Sequence, residues 1–139
     1  MDTASWEHFE HKADIGIRGY GDTLAEAFEQ IALAMTAVVA DIDAVNATTA
    51  LHIRCSEDSD DTLLFAWLNA LIYEMATRKM LFSRFDVEIN ETELNASVAG
   101  EPIEIARHQP VVEIKGATYT ELAVYQANGQ WVAQCVVDV

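Results

Sequence analysis

The chain is short of the residues that would tie it to nucleic acid, to a membrane or to an oxidising compartment. Of its 139 residues only eight are Lys or Arg, against 23 Asp and Glu, for a formal charge of −15. Nucleic-acid binding draws on clustered cations that neutralise phosphates, so direct nucleic-acid binding is not expected. No apolar run reaches the roughly 18 residues needed to span a bilayer, and no membrane partner is expected. The amino terminus lacks a basic stretch leading into an apolar one, so no secretory signal is read there. Only two cysteines occur, Cys55 and Cys135, without CxxC spacing. They read as reduced core thiols rather than a zinc pair or a disulfide, which points to a cytoplasmic setting. No P-loop, GxSxG elbow or HExxH pair is present. Serines and cysteines have no evident base partner, so nucleophilic catalysis lacks support.

What is present suits one globular domain over residues 1–139, with 51% hydrophobic residues and no internal linker. Thr23-x-x-Glu26 has the form of a capping box. Leu24, Ala27, Phe28, Ile31, Met35 and Val38 follow at helical spacing. A second helix is predicted to start within Ser56–Asp61, whose carboxylates suit the positive end of the helix dipole, and to end at Arg78 and Lys79. Leu63, Leu64, Trp67, Leu68, Leu71, Ile72 and Met75 give it a broad apolar face. Strands are predicted at Leu51–Cys55, Phe85–Ile89, Leu94–Val98, Ile103–Ile105, Val111–Lys115 and Tyr119–Tyr125. Asn128-Gly129 is a hairpin turn signal before a returning strand, Gln130–Val139. The order predicts an α+β fold, a two-layer single domain with two helices packed on a largely antiparallel β-sheet.

Chemistry-bearing groups concentrate at the two ends of the chain. The segment Trp6-Glu7-His8-Phe9-Glu10-His11-Lys12-Ala13-Asp14-Ile15-Gly16-Ile17-Arg18-Gly19-Tyr20-Gly21 places Asp14 at the start of a strand, within reach of His11. Such a carboxylate suits a cation or polar ligand; the plainer reading is a polar loop feeding an edge strand. At the other end, Asp138 lies next to the terminal carboxylate of Val139. Hard oxygens gathered there suit Ca²⁺ or Mg²⁺, and the plainer reading is a solvated polar tail. Lys115 reads as a surface ion-pair partner on its own merits. Arg107 and His108, before Pro110, offer a weak phosphate contact. The acidity itself fits either a basic partner or bound cations, or simple solubility in a salt-adapted host.

The run H-x-A-D-I-G-I-R-G-Y-G followed by T-L-x-E-A-F resembles the opening of the archease family. The resemblance continues through Leu63-Leu64-Phe65-Ala66-Trp67-Leu68-Asn69, Lys115-Gly116-Ala117-Thr118-Tyr119 and the ending from Trp131 to Val139. It implies a non-catalytic protein cofactor of the GTP-dependent tRNA-splicing RNA ligase, promoting guanylylation of that enzyme and its multiple turnover. It also implies a divalent cation, Ca²⁺ ahead of Mg²⁺ or Mn²⁺, on Asp14, Asp138 and an oxygen of Val139. His11 would be a near neighbour, since imidazole is a poor calcium ligand, and Lys115 would face the partner. Gly116 stands where the family usually has Ala, Thr120 where His is frequent, and Ala70 where Glu is common. Two alternatives stand beside this reading. One is a metal-dependent small hydrolase or phosphotransfer enzyme; the other is a chaperone-like binder of RNA-modifying enzymes.

Overall fold

The computed structural model describes residues 4–139. Its elements run β1 (Ser5–His11), β2 (Asp14–Gly21), α1 (Leu24–Val39), a 3₁₀ turn (Ile42–Ala44), β3 (Thr49–Ser56), α2 (Asp60–Arg78), β4 (Met80–Asn90) and β5 (Glu93–Pro102). They continue with a short α3 (Ile105–His108), β6 (Gly116–Ala117), β7 (Ala123–Ala127) and β8 (Gln130–Asp138). This is the expected α+β arrangement, and all strand pairings are antiparallel. The strands divide between two sheets, which the sequence did not show. One follows the order β1-β2-β8-β6 with β7 also on β8; the other is β3-β5-β4.

Both long helices start on side-chain caps. Thr23 accepts the Glu26 amide at 3.1 Å, and the Glu26 carboxylate returns to the amide of Asp22, one residue earlier than a standard box. Ser59 and Thr62 cap α2 reciprocally, and Lys79 closes it in the left-handed region at φ 53°. The two helices meet through Trp67, fully buried, whose indole N–H donates to the Phe28 carbonyl at 3.0 Å. Phe28, Ile31 and Met35 from α1 join Leu63, Leu64, Leu68 and Leu71 from α2 in one core with Ile17, Phe82, Leu94 and Val98.

Several predicted strands are corrected. The stretch before Asp14, a polar loop in the plainer reading of Trp6–Gly21, is a full strand, Ser5–His11, because its alternate groups find partners: His8 Nε2 bonds the Ala34 carbonyl, and the Phe9 ring covers Gly16. Ile103–Ile105 is no strand; Ile103 is irregular and Ile105 opens α3. Tyr119–Tyr125 shortens to β7, because Thr118–Leu122 turns back on itself through Leu122 N–H to Tyr119 O. Val111–Lys115 has the alternating burial of a strand but no strand beside it.

Arg107 and His108 do not await a phosphate. Arg107 donates to Glu101 at 2.7 Å, to Glu104 at 3.0 Å and to the Ala44 carbonyl, while His108 is buried. Glu104 N–H donates to His108 Nδ1, which leaves Nε2 to donate to Glu101 at 3.0 Å. Arg107 first, then the Asn46 amide and His108, hold the Glu101 carboxyl down at about 2 against an ordinary 4.5. A carboxyl depressed on folding adds stability above its unfolded pKa and loses it as pH falls through the folded one. The stability increment from Glu101 is therefore expected to vanish between about 4.5 and about 2. Acid unfolding followed by circular dichroism should be shallower across that window in Glu101→Gln than in wild type.

Gly19 fixes how closely α1 can lie on β2. A Cβ there would fall inside contact distance of backbone atoms of Ile31 and Ala27, which cannot swing away as a side chain would. Gly19→Ala is expected to cost about 1–3 kcal/mol through this overpacking, read as a lowered urea midpoint at unchanged slope.

Candidate functional site

The β1–β2 hairpin turns through Lys12-Ala13, with Lys12 at φ 52°, and sets His11 opposite Asp14. β2 then pairs with β8, Ile15 facing Val137. One step further along that register puts Asp14 opposite Asp138. On the far side of β8, Asp138 pairs with Gly116, and the Lys115 amide donates to the Asp138 carbonyl at 2.8 Å. His11, Asp14 and Asp138 thus form one row across three strands contributed by both ends of the chain. Neighbours in such a row hold their Cβ atoms roughly 4.5–5.5 Å apart on one face, and like charges there repel.

The face is the one turned away from α1. Ile17 is fully buried toward the helices, and Ile15 is half-buried beside it. Asp14 is half-buried, Asp138 exposed and Val139 half-buried. His11 Nδ1 is buried and lacks a hydrogen-bond partner among the described residues. His11 also lies two strands from Asp138, so the row does not close into a side-chain cage. Among the described residues no three His, Cys, Asp or Glu side chains are grouped tightly enough to hold a metal ion. What the row offers is the carboxylate oxygens of Asp14 and Asp138, hard donors of the kind that Ca²⁺ and Mg²⁺ prefer and zinc does not.

The three lysines, Lys12, Lys79 and Lys115, differ from the arginines in their pairing. All five arginines, Arg18, Arg54, Arg78, Arg84 and Arg107, are in salt bridges, whereas Lys115 is in none among the described residues. The surface ion pair expected from its sequence position is absent. Its backbone, in contrast, is fixed from both sides. Asp138 holds its amide; Asn69 Oδ1 takes the Ala117 amide at 3.1 Å; Thr118 Oγ1 donates to the Val136 carbonyl at 2.8 Å. Tyr119 stacks on Phe65 with ring centroids 4.4 Å apart. The Lys115 ammonium is thus exposed on a backbone held in place on both sides. Gly116 does not disturb this, since a Cβ there would meet only Asn69 Oδ1 at 3.9 Å, an ordinary contact.

Sequence reasoning missed the groups that brace the same face. Arg18 donates to Glu7 at 2.7 Å and to Gln134 at 3.0 Å, and its guanidinium lies 4.5 Å from the Phe9 ring centre. Tyr20 also donates to Glu7, and Tyr125 to Gln134 at 3.3 Å. The Tyr20 hydroxyl and then Arg18 hold the Glu7 carboxyl below the ordinary range. The only sequence signal was the alternation that put Arg18 and Gln134 on the polar face. Asn69, a lone amide in the apolar run Leu63–Ile72, was a similar hint. The thiols are poor nucleophiles: burial pushes Cys135 up to about 11 and raises Cys55 as well.

The fold and this face together define a small acidic α+β protein with one row of polar groups, His11, Asp14 and Asp138, on the face turned away from α1. The chain belongs to the archease family: residues 6–139 match the model described as the Archease protein family (MTH1598/TM1083). It is 36% identical to Protein archease of Pyrococcus furiosus, covering 96% of this chain and 98% of that one. With Protein archease of Methanosarcina acetivorans it shares 37% identity over 96% and 95% of the two chains. The solution structure of Methanobacterium thermoautotrophicum protein 1598 matches with a TM-score of 0.80 at 26% identity, over 97% of this chain and 99% of the other. A crystal structure from Thermotoga maritima, described as an archease and possible chaperone, shares the fold with a TM-score of 0.58 at 17% identity, over 96% of each chain.

Proposed function

We propose that this protein is a non-catalytic activator of the GTP-dependent tRNA-splicing RNA ligase, promoting guanylylation of the ligase and its multiple turnover. The observation that carries the reading is the juxtaposition of Asp14 with Asp138 beside the unpaired Lys115, at positions matching the family motifs. Two like charges facing each other across a sheet cost stability unless something offsets them. A divalent cation does so, and Ca²⁺, Mg²⁺ or Mn²⁺ would find Asp14, Asp138 and an oxygen of Val139 as donors. The cation would tie the β1–β2 hairpin to the end of β8 and supply positive charge at this edge. His11 stands beside Asp14 as a neighbour and not as a ligand.

The chain's own residues then do the docking. Lys115 reaches an acidic group or phosphate of the partner, while Asn69, Thr118 and Asp138 keep its backbone in place. The net charge of −15 favours a basic protein surface over RNA. A cytoplasmic setting belongs to the same reading, and Cys55 and Cys135 are both free and buried. No helix among the described residues is long and apolar enough to cross a membrane.

Calorimetric titration of Ca²⁺ is expected to show binding to wild type that weakens at least tenfold in Asp14→Asn and in Asp138→Asn. Without the metal, each variant should melt no lower than wild type, because the facing charges are gone. Unchanged affinity in both variants would remove the cation from the reading.

Lys115→Ala is expected to change stability by less than about 0.5 kcal/mol, as for a surface group with no partner. The same variant should lose stimulation of ligase–GMP formation when mixed with the partner ligase and GTP. Full stimulation by well-folded Lys115→Ala would return this residue to the solvated surface.

A further inference from the structure

Among the described residues no strand pairs with the strand-like segment Val111–Lys115. Burial alternates along it: Val111, Glu113 and Lys115 are exposed, Val112 is half-buried and Ile114 is buried. No residue from Pro110 to Lys115 has a positive φ. The segment is fastened at its two ends, Val111 N–H to the Val39 carbonyl at 2.9 Å and Lys115 N–H to the Asp138 carbonyl at 2.8 Å. Between them, the amides of Val112, Glu113 and Ile114 donate to no group among the described residues. Peptide groups in an extended segment are strong donors and acceptors that normally find a partner.

Alongside runs an apolar groove of about 320 Å³, walled by Ile72, Met75, Met80 and Ile103 together with Val112 and Ile114. Glu113 is the only charged residue that lines it, and Val111, 75% exposed, stands at the same place. Unsatisfied backbone groups next to an apolar slot are the two components of strand addition. The backbone supplies affinity, and alternate side chains of the incoming strand enter the slot.

We infer that Val111–Lys115 receives an extended segment of a basic protein partner, which adds as a strand and places an apolar side chain in the groove. A second copy of this chain is a poor occupant. In an antiparallel self-pairing centred on the segment, Glu113 would face its own copy, and each chain would bring a net charge of −15. A lysine or arginine opposite Glu113 removes the conflict. The inference does not depend on the identity of the ligase, since it concerns backbone and groove rather than Asp14, Asp138 or the Lys115 ammonium.

The probe is a short capped peptide alternating lysine and valine, compared with the same peptide N-methylated at every backbone amide. Both carry the same charge, but only the first can pair along a strand edge. On isotope-labelled protein at saturating peptide, at least one of the Val112, Glu113 and Ile114 amides is expected to exchange with solvent tenfold more slowly. The methylated peptide should give no such protection, and Glu113→Lys should weaken binding of the first peptide about tenfold. Equal protection by both peptides, absence of binding, or binding that leaves all three amides unprotected would overturn the inference. So would undiminished affinity in Glu113→Lys, and a stable dimer of the free protein through this edge would assign the segment to self-association instead.

Discussion

The pairing of β2 with β8 is the constraint on which the rest of this structure depends. It joins residues 15–21 to residues 131–137, and everything at the candidate site hangs from it. Within the sheet, β1 pairs with β2 alone, and β6 and β7 pair with β8 alone. Contacts between such distant parts of the chain gain nothing until most of the intervening loop is ordered. The two halves of the site therefore exist together only in the folded protein. Neither Asp14 nor Asp138 has a carboxylate neighbour across a strand until this pairing forms.

Register matters as much as pairing. A slip of one residue between β2 and β8 would turn Asp138 from the polar face to the face carrying Cys135 and Val137. Two features oppose that slip. On the helix side, Gly19 and Gly21 leave room for α1, and a one-residue turn of β2 would bring the bulky Arg18 and Tyr20 against it instead. On the outer side, Arg18 spans from Glu7 on β1 to Gln134 on β8, so its two bonds are satisfied together in only one register. The polar bracing of the open face is thus a means of keeping two aspartates in line several residues away.

Much of this was legible from the sequence because it is local. Capping residues and the 3.6-residue stripe located both long helices, and Asn128-Gly129 marked the last hairpin, where both residues take positive φ. Asp14, Asp138, Val139, His11 and Lys115 could be named from motifs, but their proximity is a property of strand order, which local patterns do not encode. The misread elements share a cause. Alternation in Val111–Lys115 reports correctly that the segment is extended with one side buried, and says nothing of whether a neighbour exists. Ser5–His11 looked like a loop because its polar residues are satisfied by particular distant partners, such as the Ala34 carbonyl for His8. The division into two sheets follows from β3 joining β5 rather than β2, a choice made by packing around α1 and α2.

Charge pairing completes the account of the surface. With all five arginines engaged by carboxylates of the same chain, the exposed cations not held in ion pairs among the described residues are lysines. Pairing an arginine leaves net charge unchanged but turns its field into a short-range dipole, while most carboxylates remain unpaired and act at longer range. A basic partner approaching within a Debye length, about 8 Å at physiological ionic strength, is attracted by the whole molecule. An acidic group or phosphate is repelled until it lies close to an unpaired ammonium. Two such ammoniums flank the row, Lys12 in the β1–β2 turn and Lys115 beside β8, the latter on a backbone held by Asp138 and Asn69. On the proposed reading, attraction at long range and anion contact at short range would together favour a partner that is basic overall and presents an anionic group where it docks.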